Sequence, residues 1–381
     1  MSDNILKLIE EEDVEFVDLR FTDPRGKLQH VTFDKSMVDE DFFEDGSMFD
    51  GSSIAGWKAI NESDMTLMPD ADTAVIDPFY QQTTLAIMCD ILEPSTGEAY
   101  NRDPRTTAKK AEKFLAASGV GDKAFFGPEA EFFVFDDVRW TTEQNETGYR
   151  LDSEEGPYNS GTAIEGGNLG HRPGPKGGYF PVNPIDSGQD MRSEMLSVMA
   201  ELGLEPEKHH HEVAPSQHEL GMKFSTLTSM ADRLQLYKYV VHNVAHAYGK
   251  SATFMPKPVY ADNGSGMHVH QSIWKGDTPL FAGDQYADLS ETCLYYIGGI
   301  IKARPSHQRV RQRLDEFLQA PGSRLRSAGA AGVFGPQPVS LNSHPACAFR
   351  QGQANRNPFP GRRRQPLPDL CGAPYGGPGR N

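Results

Sequence analysis

Residues 127–135 read Gly-Pro-Glu-Ala-Glu-Phe-Phe-Val-Phe and predict a β-strand, because the segment is rich in aromatic and β-branched side chains. Side chains alternate between the two faces of a strand, so Glu129 and Glu131 would share one face, about 7 Å apart, with Phe132 and Val134 on the other. Two carboxylates side by side on an apolar strand need a cation to offset their repulsion. An exposed edge strand with two solvated glutamates is the alternative that this segment alone leaves open.

Residues 209–219, His-His-His-Glu-Val-Ala-Pro-Ser-Gln-His-Glu, supply a second pair of carboxylates. A Pro-Ser turn within them could bring Glu212 and Glu219 alongside each other on a hairpin. A zinc-protease motif does not fit, because Pro215 stands where a second helical histidine would be needed. The histidine run, taken alone, is more typical of a partly exposed strand end than of a set of metal ligands.

Residues 263–270, Asn-Gly-Ser-Gly-Met-His-Val-His, predict a flexible loop that enters a strand with His268 and His270 on one face. They are not a dinucleotide-binding motif, since Val269 occupies the third glycine position, and residues 249–251 lack the first glycine of a phosphate loop. Carboxylates with one imidazole and no cysteine favour Mg²⁺ or Mn²⁺ over structural zinc. Two such ions would suit phosphoryl transfer from ATP.

The 381 residues carry a formal net charge of −16 that is unevenly distributed. Residues 1–302 have a net charge of −25, whereas residues 303–381 have +9, with 12 arginines and no lysine. The acidic body argues against binding to nucleic acid or to an anionic membrane. The four cysteines have no paired spacing, and no apolar run approaches the roughly 20 residues that span a bilayer. We therefore expect a cytoplasmic protein that binds neither nucleic acid nor membrane.

Predicted strands at residues 14–21, 28–33 and 83–90 surround a long polar loop at residues 50–64. Loops of that length inside a compact unit are uncommon and often functional. This pattern indicates a small α+β unit over residues 1–103.

A larger unit of strands and helices around a carboxylate-rich interior is predicted over residues 104–302. Its first helix would be capped by Asp103, have Pro104 at its first position and end at Gly119. Residues 141–178 are rich in Gly, Asn and Ser, which predicts loops or a flap. The other helices are predicted at residues 190–202, at residues 229–248, and from residue 290 to at least residue 302.

These motifs together strongly resemble bacterial type I glutamine synthetase over about residues 14–302. The resemblance implies an α+β protein, with an N-terminal β-grasp domain and a catalytic α/β domain whose antiparallel strands form a metal-binding funnel flanked by helices. The motifs that carry it are Asp-Gly-Ser-Ser-Ile at 50–54, Asn-Glu-Ser-Asp-Met at 61–65, the segments at 127–133, 209–214 and 263–268, and Lys-Tyr-Val-Val-His-Asn-Val-Ala at 238–245.

The resemblance also implies the reaction, in which ATP and L-glutamate give γ-glutamyl phosphate and ammonia then displaces phosphate to form glutamine. It implies two or more Mg²⁺ or Mn²⁺ ions per site, with ATP as co-substrate, in a dodecamer of two hexameric rings with sites between subunits. Carried over by position, one metal would be bound by Glu131, Glu212 and Glu219, and the ATP-side metal by Glu129 and His268. ATP would be contacted by Glu207, Phe224, His270 and Ser272, and glutamate by Asn263 and Gly264. Ammonium would be bound by Tyr179 together with Asp50 and Ser53 of the adjacent subunit. The turn before Glu219 is one residue shorter than in the enteric form.

Residues 303–381 depart from the family, because its arginines, its flap glutamate and its last metal-ligand glutamate cannot be matched there. Re-read one base later, degenerate codons for residues 313–322 permit Ala-Ser-Thr-Asn-Ser-Tyr-Lys-Arg-Leu, and those for residues 353–360 permit Arg-Ile-Glu-Thr-Arg-Phe-Pro. Both are family motifs in the right order. We therefore interpret the tail as out of frame after Lys302 and expect negligible synthetic activity from the chain as written. A basic disordered tail that binds an acidic partner is the alternative.

Two other functions fit the same motifs. A γ-glutamyl ligase for polyamines or related amines would keep the fold and change the acceptor, but Asp50, Ser53 and Tyr179 at the ammonium positions favour ammonia. A catalytically dead assembly or regulatory subunit with a basic arm is favoured only by the missing arginines.

Overall fold

The computed structural model describes residues 2–156 and 170–303, and the tail beyond residue 303 lies outside the described residues. Two sheets organise an α+β chain. Within the described ranges, no helix combines the length and the hydropathy that crossing a bilayer requires. The α-helices are α1 (Ser2–Glu11), α2 (Glu40–Glu44), α3 (Pro104–Ser118), α4 (Gln189–Glu201), α5 (Leu227–Ala247) and α6 (residues 291–303). Short 3₁₀ turns lie at Lys35–Met37, Gly51–Ser53, Ile60–Glu62, Ala71–Thr73 and Tyr286–Asp288.

The first sheet has six strands, in the order β2-β1-β6-β4-β3, with β5 also paired to β6. Only β1 and β6 run parallel among these pairs. Apolar side chains of the central strands, such as Leu19, Met65 and Ile87, are fully buried beneath α1 and α2. The strands are β1 (Phe16–Thr22), β2 (Leu28–Asp34), β3 (Ser47–Asp50), β4 (Asp64–Pro69), β5 (Val75–Ile76) and β6 (Thr84–Leu92).

The second sheet has seven strands, in the order β10-β11-β7-β14-β15, with β12 and β13 also paired to β7. All of its pairs are antiparallel, as predicted. Its strands are β7 (Lys123–Phe135), β10 (Pro206–His211), β11 (Gln217–Met222), β12 (Ser225–Thr226), β13 (Ser251–Thr253), β14 (Met267–Lys275) and β15 (Thr278–Pro279), and a separate hairpin is formed by β8 (Asp137–Thr142) and β9 (Thr147–Asp152).

The central strand β7 has the predicted alternation. Phe132 and Val134 are buried in a core with apolar side chains of α4 and α5. Glu129 and Glu131 lie on the opposite face, where each remains partly exposed. The helices therefore cover one face of the sheet, and the carboxylates line the other.

The first helix of this unit begins and ends as its sequence predicts. The Asp103 carboxylate accepts hydrogen bonds from the backbone amides of Arg105 and Thr106, and Pro104 occupies the first helical position. Gly119 ends the helix with φ of 73°, a left-handed conformation that glycine adopts without steric cost.

The prediction of loops throughout residues 141–178 was wrong in part. Residues 137–152 form the β8–β9 hairpin, in which Trp140 lies opposite Tyr149, and the Tyr149 hydroxyl donates to the Pro258 carbonyl at 2.8 Å. Most side chains of this hairpin are exposed, so no apolar alternation marks it in the sequence. Residues 157–169 of the predicted flap lie outside the described residues.

Arg105 of α3 joins the first sheet to the helices of the second. Its guanidinium contacts Asp70 and Asp90 at 2.6 Å each and Asp232 of α5 at 3.1 Å, and its side chain is only 8% exposed. Arg105 therefore contacts three carboxylates that would otherwise repel each other, and Lys109 pairs with two of them, Asp70 and Asp90.

We expect Arg105→Ala to lower the free energy of unfolding by about 3 kcal/mol, because it removes the cation that contacts Asp232 and leaves Asp70 and Asp90 with Lys109 alone. A urea titration followed by circular dichroism measures the loss. Arg139→Ala breaks an ion pair whose arginine is 70% exposed and serves as the matched control, with an expected loss below about 1 kcal/mol. Equal losses in the two variants would contradict this role for Arg105.

Candidate metal centre and active site

Strand register places titratable side chains in a row across one face of the second sheet. His210 of β10 lies opposite Glu219 of β11, and Glu219 lies opposite Glu131 of β7. Glu129, two residues before Glu131, lies opposite His268 of β14. Four adjacent strands thus direct carboxylates and imidazoles to the same side of the sheet.

The tightest group in this row consists of His210, Glu212 and Glu219. One ligand atom from each lies within 4.8 Å of the others, and all three side chains are buried or half-buried. The predicted convergence of Glu212 and Glu219 on a hairpin is confirmed. His210 was missed, because a histidine run gives no sign of which member faces the carboxylates.

Electrostatics in this group reflect crowded negative charge. Burial raises the pKa of Glu212. Burial alone would lower the pKa of His210, but the hydrogen bond and the charge of Glu219 outweigh it and raise this pKa. Such a group favours a bound cation, whether a proton or a metal ion.

Glu131 borders this group and is held by the neighbouring loop. Its Oε2 accepts hydrogen bonds from the Gln217 side-chain amide at 2.6 Å and from the Gly266 backbone amide at 3.0 Å. Burial raises the pKa of Glu131, and the charges of Glu212 and Glu219 add to the effect. Gln217 is a further residue that the sequence motifs did not identify.

Glu129 lies in a more cationic environment. His270 Nε2 lies 3.2 Å from its Oε2, His268 Nδ1 lies 3.8 Å from the same oxygen, and Lys208 Nζ lies 3.6 Å from Oε1. The hydrogen bond from His270 outweighs the opposing effect of burial and lowers the pKa of Glu129 to about 2. Glu129 is therefore ionised at neutral pH, whereas the pKa of Glu131 is shifted in the opposite direction.

Three of the predicted ATP-contacting residues lie together beyond Glu129. A Cβ built on Gly127 would be 3.5 Å from Phe224 Cβ and 3.7 Å from His270 Cβ, so these side chains flank one glycine. Ser272 is two residues further along β14, and its Oγ accepts from Trp274 Nε1 at 3.0 Å. Glu207, the fourth, is exposed at an irregularity in the pairing of β10 with β11.

The predicted glutamate-contacting residues lie in the loop before β14. Asn263 Oδ1 accepts from Lys176 Nζ at 3.0 Å, and the Gly264 carbonyl accepts from the Gln217 side chain at 3.0 Å. A Cβ on Gly264 would lie 2.2 Å from the Pro256 carbonyl oxygen, so only glycine fits there. Gln217 therefore connects this loop to Glu131.

The predicted ammonium-site residues occupy two parts of the chain. Tyr179 is 56% exposed, and its ring lies 5.9 Å from that of His210. Asp50 ends β3, at the edge of the first sheet, and accepts from the Ser52 amide and hydroxyl and from the Ser53 hydroxyl. These bonds, led by that from the Ser52 hydroxyl, lower the pKa of Asp50.

Known proteins match this chain over the residues that form both sheets. The family profile described as the glutamine synthetase catalytic domain matches residues 101–311, and that of the glutamine synthetase beta-grasp domain matches residues 13–94. A glutamine synthetase of Bradyrhizobium diazoefficiens is 71% identical over 299 residues, which cover 78% of this chain and 64% of that protein. One of Rhizobium meliloti is 62% identical over 349 residues, covering 88% of this chain and 74% of the relative.

A solved structure agrees with these sequence relatives. The cryo-EM structure of Plasmodium falciparum glutamine synthetase superposes with a TM-score of 0.75 at 28% identity, covering 80% of this chain and 60% of that one. The chain spans less than two thirds of the length of that protein and of the Bradyrhizobium relative.

Proposed function

This chain belongs to the glutamine synthetase family, and we propose that the protein ligates ammonia to the γ-carboxylate of L-glutamate, using ATP and releasing glutamine, ADP and phosphate. The observation that carries the proposal is the row of carboxylates and imidazoles on one face of the second sheet. We place the β-grasp domain at residues 1–103, the catalytic domain at residues 104–302 and the out-of-frame tail at residues 303–381.

The donor set fits Mg²⁺ or Mn²⁺. Glu131, Glu212 and Glu219 would hold one ion, with His210 beside them, and Glu129 with His268 would hold the ATP-side ion. Once bound, such ions neutralise charge on the phosphates of ATP and on the carboxylate that attacks them. The carboxylates of this chain repel each other without an ion, which gives the site a strong preference for divalent cations.

The nucleotide would occupy the end of the row nearest Glu129. The Phe224 ring packs edge-on against Phe125 at 5.4 Å and offers an apolar surface for a base. The buried His270 Nδ1 has no hydrogen-bond partner among residues 2–156 and 170–303, and a ribose or phosphate oxygen is the kind of group that would pair with it. Glu207 and Ser272 supply further polar contacts at the same end.

Glutamate would lie between the nucleotide and the loop of Asn263 and Gly264. A carboxylate is a poor electrophile, so its γ-carboxylate attacks the γ-phosphoryl group of ATP and becomes γ-glutamyl phosphate, a good one. Gln217 holds both the Gly264 carbonyl and Glu131, which fixes the substrate loop relative to the carboxylate row.

Ammonium would bind near Tyr179 and the Asp50 turn of the adjacent subunit. Asp50 has a lowered pKa, so its carboxylate stays ionised, attracts the cation and can accept a proton before the amine attacks. Burial, with the charges of Glu212 and Glu219, raises the pKa of Tyr179, so its hydroxyl stays protonated and offers an oxygen lone pair to ammonium.

We also propose a homo-oligomer, a dodecamer of two hexameric rings. Asp50 and Ser53 lie at the edge of the first sheet, and exposed apolar side chains nearby, Met48 at 64% and Ile60 at 86%, suit a subunit contact. Light scattering of the protein that carries the shifted frame after Lys302 should then give a mass about twelve times that of one chain. A cytoplasmic location is consistent with Cys89 and Cys293, which are free and buried.

The function is tested with the protein that carries the shifted frame after Lys302. Phosphate release should require ATP, glutamate, ammonium and Mg²⁺ together, and one glutamine should form for each phosphate. Methylamine and putrescine, offered in place of ammonium, should give much slower release. Faster release with either amine would contradict glutamate–ammonia ligation and favour the related amine ligase.

A further inference from the structure

Glu155 is buried behind the carboxylate row and has no role in the chemistry described above. It follows the β8–β9 hairpin, and only 5% of it is exposed. Its Oε1 accepts from the Ser187 hydroxyl at 2.7 Å, and its Oε2 accepts from the Ser216 backbone amide at 2.8 Å. This carboxylate is therefore an acceptor for donors from two separate segments of the chain.

The same Oε2 lies 2.8 Å from His211 Nε2, and the other ring nitrogen, Nδ1, donates to the Glu212 carbonyl at 2.6 Å. Both nitrogens of this fully buried ring are engaged, so the ring cannot turn without losing a bond. His211 thus links Glu155 to the backbone of Glu212, which belongs to the carboxylate row.

The turn between β10 and β11 depends on the same anchor. Ser216 has φ of 66°, a conformation that costs a non-glycine residue about 1–2 kcal/mol. The hydrogen bond from its backbone amide to Glu155 helps to hold this conformation. The Glu212 amide donates to the Gln217 carbonyl at 2.7 Å and closes the turn. The spacing between Glu212 and Glu219 is set by this turn.

The segment that carries Tyr179 packs on the same ring. The Gly178 amide donates to the Val213 carbonyl at 2.9 Å, and a Cβ on Gly178 would lie 2.7 Å from both the Glu212 oxygen and His211 Cε1. This close approach requires glycine and fixes the segment against His211.

We propose that Glu155 and His211 are positioning residues that hold the Glu212 carboxylate in the geometry for metal binding. The inference rests on the proposed function, since it assumes that Glu212 binds a divalent ion. Mutating a residue that hydrogen-bonds to a metal ligand from behind typically weakens metal binding 10- to 100-fold. Neither residue contacts Glu129 or His268, so the effect should be confined to one of two ion sites.

The test is Mn²⁺ binding without substrates, followed by electron paramagnetic resonance, to the protein that carries the shifted frame after Lys302, which is the unaltered chain of this experiment. We expect two classes of site in the unaltered chain, and about 10- to 100-fold weaker binding in one class for Glu155→Ala and for His211→Gln. Glu155→Gln keeps an acceptor for the ring and should weaken the same class less than Glu155→Ala. Asp77→Ala removes a buried carboxylate from an ion pair with Arg20 in the first sheet and should leave both classes unchanged.

Each outcome bears on one of the two proposals or on both. Unchanged Mn²⁺ binding in Glu155→Ala, or in Glu155→Gln and His211→Gln if the alanine variant does not fold, overturns the positioning role and leaves the proposed function standing. Equal weakening of both classes, or a similar loss in Asp77→Ala, also overturns it, because that pattern indicates general destabilisation. No Mn²⁺ binding by the unaltered chain would overturn both proposals.

Discussion

Glu219→Gln is expected to weaken Mn²⁺ binding at the Glu131–Glu212–Glu219 site about 100- to 1,000-fold. Glu219 is central in the row, opposite both His210 and Glu131, and its carboxylate is buried. Removing one charge about 4 Å from a divalent ion costs roughly 8 kcal/mol at an effective dielectric constant near 20, and relief of the repulsion between that charge and the neighbouring carboxylates offsets about half of it. Titration with Mn²⁺ measures the affinity.

Without bound metal, Glu219→Gln should be at least as stable as the unaltered protein. The charges of Glu212 and Glu219 contribute to the raised pKa of Glu131, so removing one of them relieves repulsion in the folded state. We expect Glu219→Gln to unfold at a urea concentration no lower than that of the unaltered protein. Glu201→Gln, an exposed carboxylate at the end of α4, should change neither quantity. Unchanged Mn²⁺ affinity in Glu219→Gln would show that Glu219 is not a ligand of this metal.

The sequence alone was sufficient to predict those features of the fold that depend on residues close together along the chain. The alternation around Glu129 and Glu131 predicted which face of β7 carries the carboxylates, and Asp103 with Pro104 predicted the start of α3. Both depend on residues within a few positions of each other, so a single sequence contains the information.

Contacts between distant segments were not predictable in this way. His210 faces Glu219 only because β10 and β11 pair in one register, and Gln217 reaches Glu131 across 86 positions of sequence. Glu155 meets His211 across 56 positions, and nothing in the local pattern around either residue marks the pair. The sequence motifs pointed to the carboxylates, whereas the contacts of His210, Gln217 and Glu155 follow only from the three-dimensional packing.

The last helix of the described chain, α6, has an exposed apolar surface. Helix α6 carries exposed apolar side chains, with Tyr295 at 70% and Ile301 at 65%. Exposed apolar groups of this size on one helix are typical of a surface that packs against further structure. The family profile of the catalytic domain matches through residue 311, and the match to the Bradyrhizobium relative covers 64% of that protein. The interpretation that residues 303–381 are out of frame stays a prediction, which the nucleotide sequence after Lys302 tests.

Restoring that frame after Lys302 is expected to raise ATP-dependent glutamine formation by at least about 1,000-fold over the chain as written. The shifted frame would return the arginines and the last metal-ligand glutamate, and losing even one donor to developing charge typically costs 100- to 1,000-fold in rate. Glutamine and phosphate are measured for both chains, with the mass of each tail verified by mass spectrometry. Glu219→Gln in the restored chain should abolish the gain, which would locate it at this site. Substantial glutamine formation by a chain whose mass matches the written tail would contradict the prediction, because the acidic body would then be sufficient for catalysis without those residues.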